Sequence, residues 1–332
     1  MDSFGIDRLA LPKFGIDVFR LPNFGQTSNG ASKGRFHESL VDAWFMSGYK
    51  NDDAPSGIRG VKGNVITLHN FLFAGNSGFG KYAENYNDYN FQNIVGTSTH
   101  TSDTIHITEF LILRWRIVEK TKKSSNPCKV KISGLTDDIE LLYIGNSAEN
   151  ELLELKLKNG VNELPAIYMN AGFSSGNYLG TCDITITQIP DNEGALCFDG
   201  VDDYAVLQNT GFTVDTVILG YYDYDKTSAR WKYFYDANVV RTYAGLNVSQ
   251  NFMAGSNNVD NTDKDGVVTV NYTKGTNMLS TPLYIGTKTE LTEFMGMSLK
   301  YFAVYSEPLT TEKIEEEKVK LENKWESKLN KS

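Results

Sequence analysis

Three observations predict an all-β fold for this chain. Short runs of β-branched and aromatic residues alternate with polar ones and are closed by Gly, Asn and Asp turns. Aromatics make up 12% of the sequence, and 29 glycines stand against 8 prolines, which suits strands joined by tight turns. Helical spacing of apolar residues is confined to the last stretch, where Ile314, Leu321 and Trp325 recur on an otherwise charged segment. With 332 residues, the length favours two domains over one.

Charge narrows the class. A formal net charge of −9 offers no basic face for phosphates, so nucleic acid is not expected as the main partner. Cys128, Cys182 and Cys197 are odd in number and lack metal-type spacing, so they read as reduced core residues. The opening M-D-S-F-G-I-D-R has no basic start followed by an apolar run, and no secretory leader is expected. No segment is apolar for long enough to read as a membrane span.

Residues 1–36 read as a repeat and a linker. Phe4-Gly5-Ile6-Asp7 returns as Phe14-Gly15-Ile16-Asp17, and Phe24-Gly25 starts a third copy at the same ten-residue period. Leu11-Pro12 likewise returns as Leu21-Pro22, with Phe19 between. Proline fixes φ, biases its predecessor toward extended backbone and removes a donor, so an extended arm is expected. A segment of this length cannot close a core of its own, and its apolar groups would be an aggregation hazard in water. A docking arm lying in grooves of a partner is therefore expected in preference to a loose tail. The polar run 26–35 behind it reads as a flexible leash.

The body opens with strands at 40–46, 65–68 and 71–73, separated by turns at 47–53 and 57–63 and broken by glycines at 75–80. Residues 82–91 lack periodicity and read as loop. From there to about residue 190 come strands at 104–119, 129–132, 139–144, 152–157, 166–169 and 182–189, with Asn159-Gly160 as a hairpin signal. That pattern predicts a small helix-free sandwich. Ala195 to Leu207 then predicts a strand, a tight turn at Asp199-Gly200 and a second strand. Further strands are expected at 213–222, 230–234, 239–246, 267–272, 283–285 and 294–305. A last helix follows, capped by Thr310 or Thr311, and packing of its apolar stripe on the body is favoured over helix-mediated assembly.

The opening L-V-D-A-W-F-M-S-G-Y-K-N-D-D, then N-V-I-T-L-H-N-F and G-F-G, resembles the start of laminin-G-like, concanavalin-type jelly rolls. Those domains run straight on into F-D-G-x-D-D-Y, which stands here only at Phe198 to Tyr204. Leu283 to Gly286 and Phe294 to Tyr305 resemble the same family's closing strands. The resemblance implies a discontinuous jelly roll formed by 37–91 plus 192–332, with 92–191 as a second sandwich inserted in one of its loops. The combination D-A-W-x-x-S-G-x-x-N-D-D, I-T-I-T-Q-I-P and A-L-C-F-D-G-V-D-D-Y resembles virion proteins of tailed phages of anaerobic gut bacteria, crAss-like phages included.

No motif points to catalysis. A glycosidase needs two carboxylates about 5 to 9.5 Å apart across a cleft, and the E-x-D-x-x-E strand of laminarinase-type relatives of the fold is missing. His37, His69, His100 and His106 are scattered without metal-ligand spacing. Glu315 and Glu317 read as part of a solvated helix face. Asp199, Asp202 and Asp203 read first as turn formers and second as a Ca²⁺ site at the rim of a sandwich. Asn257 to Asp265 is a rival calcium loop that lacks a closing bidentate Glu. Tyr222, Tyr224, Trp231 and Tyr233 read as a stacking platform for sugar rings, or else as core aromatics.

The expectation is a non-enzymatic virion protein made in the host cytoplasm, a capsid decoration, head fibre or tail appendage. Phe4, Ile6, Leu11, Pro12, Phe14, Ile16, Phe19, Leu21, Pro22 and Phe24 would dock it on other virion proteins. It would form a homo-oligomer, displaying lectin-like sandwiches toward host or mucus glycans, with calcium as the one cofactor considered. A free bacterial glycan-binding protein and a glycoside hydrolase are the alternatives.

Overall fold

The computed structural model describes residues 34–91, 96–114, 116–120, 124–208, 211–225, 232–244, 252–254, 258–264, 266–275 and 277–331. The repeat residues Phe4 to Phe24 lie outside these, as do Trp115 and Trp231. Within them the fold is all-β, with four antiparallel sheets and one helix, α1, over Thr311–Leu329. That helix is too polar to cross a membrane. Residues 36–332 form one compact unit.

Sheet I runs in the order Asn258–Lys264, Val267–Tyr272, Thr216–Tyr224, Gly296–Tyr305, Asp191–Asp199, Gly78–Lys81. The long strand Gly296–Tyr305 takes Asp191–Asp199 beside its first half and Leu40–Phe45 beside its second. Sheet II runs Gly57–Arg59, Val65–His69, Tyr204–Leu207, Leu283–Ile285, Lys232–Asp236, Arg241–Ala244, Phe252–Ala254. Successive side chains alternate across a strand, so Val217, Leu219 and Tyr221 point between the sheets while Ile218 points out. Trp44, Phe79, Leu196, Phe198 and Phe302 of sheet I meet Ile66, Leu207, Phe234, Tyr235 and Ile285 of sheet II in a closed core.

Sheet III (Leu152–Lys156, Leu141–Asn146, Met169–Ser175, Arg116–Lys120, Asn90–Phe91) and sheet IV (Gly160–Leu164, Cys128–Ser133, Gly180–Ile189, Thr104–Phe110, Gly96–His100) enclose a separate core. Ile105, Ile107, Val130, Ile184 and Ile186 face Ile117, Tyr143, Ala171 and Phe173 across it. Sheets I and II thus draw on 40–81 and 191–305, sheets III and IV on 90–189. The pairing carries Asn90–Phe91 into sheet III, a little before the sequence boundary at 92. The segment leaves and returns at one seam, because Lys81 and Asp191 are register partners on neighbouring strands. Beside that seam, buried Glu84 is held by Lys120, by the Tyr89 hydroxyl at 3.0 Å and by the Asn126 amide N–H at 2.6 Å. The Glu84 backbone is bracketed by the Gln188 amide.

Several elements depart from the sequence expectation, each for a physical reason. The run 104–119 is two strands in different sheets, because the chain must leave sheet IV after Phe110 to reach sheet III at Arg116. Asn159-Gly160 turns a corner between sheets and makes no hairpin. Gly160 adopts φ 95°, and the Asn159 side chain bonds both the N–H and the carbonyl of Leu135. Asp199-Gly200 is likewise a crossing, from sheet I to sheet II. Phe71–Phe73 is loop, with Phe71 edge-on to Phe198 at 5.1 Å, and the glycine run beyond it contains the strand Gly78–Lys81. Of the rival calcium loop, Asn257 and Asp265 lie outside the described residues, and Asn258–Lys264 is a strand paired with Val267–Tyr272, its register shifting between Asn258 and Asp260.

The helix covers the outward face of sheet I. Thr310 caps it, accepting from the Lys313 N–H at 3.3 Å. Ile314, Leu321 and Trp325 pack on Leu40, Phe45, Ile218, Tyr301 and Tyr305. Glu317 lies in the same seam, fully buried rather than solvated. Its carboxylate accepts from Tyr305 Oη at 2.9 Å, the His37 N–H at 3.1 Å and Lys320 Nζ at 2.7 Å.

Candidate functional site

The turn between sheets I and II is made by its three aspartates. Asp199 Oδ1 accepts from the N–H of Val201 at 2.8 Å and of Asp202 at 3.3 Å, which closes the reversal. Gly200 sits at φ 78°, where a Cβ would stand 2.9 Å from the Gly296 nitrogen, so glycine is required. Asp203 turns inward and has no solvent exposure. Its Oδ2 accepts from the Asp199 N–H at 2.9 Å and its Oδ1 from Ser77 Oγ at 3.0 Å, tying the crossing to the loop before Gly78–Lys81. Burial pushes the Asp203 carboxyl up to about 7; the adjacent Asp199 and Asp202 charges act the same way, and the two hydrogen bonds oppose it.

One carboxylate oxygen from each of these residues comes within 4.8 Å of the others. Calcium takes six to eight oxygens. Here both Asp203 oxygens and Asp199 Oδ1 already accept hydrogen bonds inside the turn, leaving Asp199 Oδ2 and the exposed Asp202 carboxylate facing out. This donor set fits turn chemistry and falls short of a calcium cage.

Beside the turn, at the end of sheet I, lies a cleft of about 200 Å³. Asn76, Lys81, Asp199, Asp223, Asp225 and Ser298 supply its polar lining, and Phe198 and Tyr224 its aromatic part. Lys81 stands 4.0 Å from Asp223, and Lys232 stands 3.3 Å from Asp225. Such a mixture of paired carboxylates, amide, hydroxyl and ring suits a small ligand rich in hydroxyl groups. Cys197 also lines it, its thiol pushed up to about 12 by burial, which keeps it protonated and unreactive at neutral pH.

The sugar platform read from the sequence is not assembled as one surface. The strand Thr216–Tyr224 shifts register between Tyr221 and Tyr224. A bulge of this kind re-aims the side chains that follow it. Tyr222 therefore points outward against Trp325, with ring centroids 5.8 Å apart, while Tyr224 turns inward onto Phe234 at 4.9 Å. Tyr233 belongs to sheet II and packs on Tyr243. The cleft was missed because its lining comes from four strands and a loop. Its one local signal is the alternation of Asp223 and Asp225 with tyrosines. The histidines are spread as the spacing indicated, His100 stacking on Phe91, His69 on Tyr204 and His106 meeting Asp183 at 2.6 Å.

Comparison with known protein families and with curated proteins finds no match for the chain.

Proposed function

We propose that this chain is a non-enzymatic structural protein of a virus particle, fastened by its N-terminal repeat and displaying its two sandwiches outward. The observation carrying this reading is the repeat itself, which sets Phe4, Phe14 and Phe24, and Leu11 and Leu21, at a ten-residue spacing beside Pro12 and Pro22. Apolar residues spaced regularly on an extended, proline-marked arm are suited to pockets on another protein, here a capsid or tail protein. The motif resemblance to phage virion proteins points the same way.

Deletion of residues 1–33 tests the proposal. The shortened protein is expected to unfold at the same midpoint as the full chain and to stop co-sedimenting with particles lacking it. Retained attachment, or a collapse of the body, would overturn it.

The cleft favours a second role, recognition of a glycan during display. Asp199, Asp223, Asn76 and Ser298 present the hydroxyl-matching groups, and Phe198 and Tyr224 the apolar part of the lining. A glycan array probed with the full chain and with Asp223→Ala separates this role from simple decoration. Binding that survives the substitution would place recognition elsewhere.

A further inference from the structure

The free edge of sheet III is less guarded than several other sheet edges among the described residues. Gly57–Arg59, Phe252–Ala254 and Asn90–Phe91 are very short, Gly96–His100 is polar, and Asn258–Lys264 carries two aspartates and a lysine. These are the ordinary guards against strand addition. Among the described residues, Leu152–Lys156 pairs only with Leu141–Asn146, and no strand lies on its other side. Leu152 is 60% exposed and Leu153 37%, on opposite faces of the strand. The neighbouring edge of sheet IV, Gly160–Leu164, ends the same flank with Val161 at 56%.

The sequence of this edge, Glu151-Leu152-Leu153-Glu154-Leu155-Lys156-Leu157-Lys158, is complementary to itself when reversed. Antiparallel pairing with a two-fold axis at Leu155 sets Glu154 opposite Lys156 twice. It also sets Leu153 opposite Leu157, on the inner face of both sheets. Moving the axis to Glu154 puts two glutamates opposite each other, and moving it to Lys156 puts two lysines together. A one-residue slip would pair inner-face residues with outer-face ones. The charges thus select one register, and like charges directly opposite disfavour its neighbours.

We propose that this edge pairs with the same edge of a second copy, joining two five-stranded sheets into one across a two-fold axis. The present partners of the two charges do not block it. Glu154 meets Arg114 at 3.7 Å and Lys156 meets Glu140 at 3.0 Å, both on the surface, where such pairs hold weakly. The contact is short, below the ~1,200 Å² of stable complexes, so it is concentration-dependent in solution and strengthened where copies are held side by side.

Sedimentation equilibrium of the full chain over a wide concentration range tests the proposal. The wild type is expected to show a reversible dimer, with amide exchange slowed at 152–156 in the dimer. Glu154→Lys and, separately, Lys156→Glu are expected to weaken it by about tenfold or more through like-charge pairs. The double exchange Glu154→Lys with Lys156→Glu restores the pairing and should restore the dimer. A monomer at every concentration, a self-association indifferent to either single reversal, or a double exchange no better than the singles would each overturn the proposal. The two single variants cover for one another should either fail to fold.

Discussion

Asp203 shows at the scale of one residue how a short acidic motif serves the fold. Its carboxyl is held up to about 7 mainly by burial, so the native state binds a proton more readily than the unfolded chain, where the value is 3.8. The stability it contributes is therefore fully present below pH 3.8 and is lost as the pH rises through about 7. The thermal midpoint of the wild type is expected to fall between pH 5 and pH 8 relative to that of Asp203→Asn. The amide can still accept from the Asp199 N–H and donate to Ser77 Oγ. Parallel midpoint curves for the two proteins would show that Asp203 does not titrate in this window. At the same scale, the turn was readable from Asp199-Gly200 alone, because αL backbone and Asx bonding are local. That Asp203 points inward was not readable, because its partner Ser77 is remote in sequence.

At the scale of elements, α1 was plain from its spacing and its threonine cap, and so was its apolar stripe. Leu321 is wholly buried between helix and sheet. Leu321→Ala is expected to cost about 2–5 kcal/mol in chemical denaturation, with the lower figure applying if the helix settles onto the sheet. A loss below ~0.5 kcal/mol, the range of neutral surface changes, would mean the helix adds little to the fold. Glu317, by contrast, looked like one more charge on a wet face until Tyr305 and the His37 N–H were brought beside it. Strand positions were legible wherever a run paired within one sheet, as at Val267–Tyr272 and Leu283–Ile285. They were misread where the chain changed sheets, since alternation continues through a crossing and turn residues look the same at a corner as in a hairpin. The tyrosine run 221–224 failed for a related reason: a bulge reverses which face each side chain takes, and nothing in the alternation announces it.

At the scale of the whole molecule, two closed cores share one chain and meet at a narrow seam. Replacing residues 82–190 by an Asn-Gly turn between Lys81 and Asp191 is expected to leave sheets I and II folded, with a single cooperative unfolding transition. A chain that fails to fold after this excision would mean that sheets I and II depend on sheets III and IV. All-β character was evident from composition and alternation. The exact partition of strands among four sheets was not, because register and sheet membership depend on contacts between residues far apart in sequence.

The pairing of Lys81 with Asp191 has a consequence for how such a protein changes over time. A segment whose two ends sit on adjacent strands can be lost, gained or traded in one recombination event, because the frame on either side needs no adjustment. Sheets I and II then act as a fixed mount and residues 82–190 as an interchangeable head. Its ancestry is free to differ from that of the mount, and variation in what the protein meets at its surface can arrive a whole domain at a time.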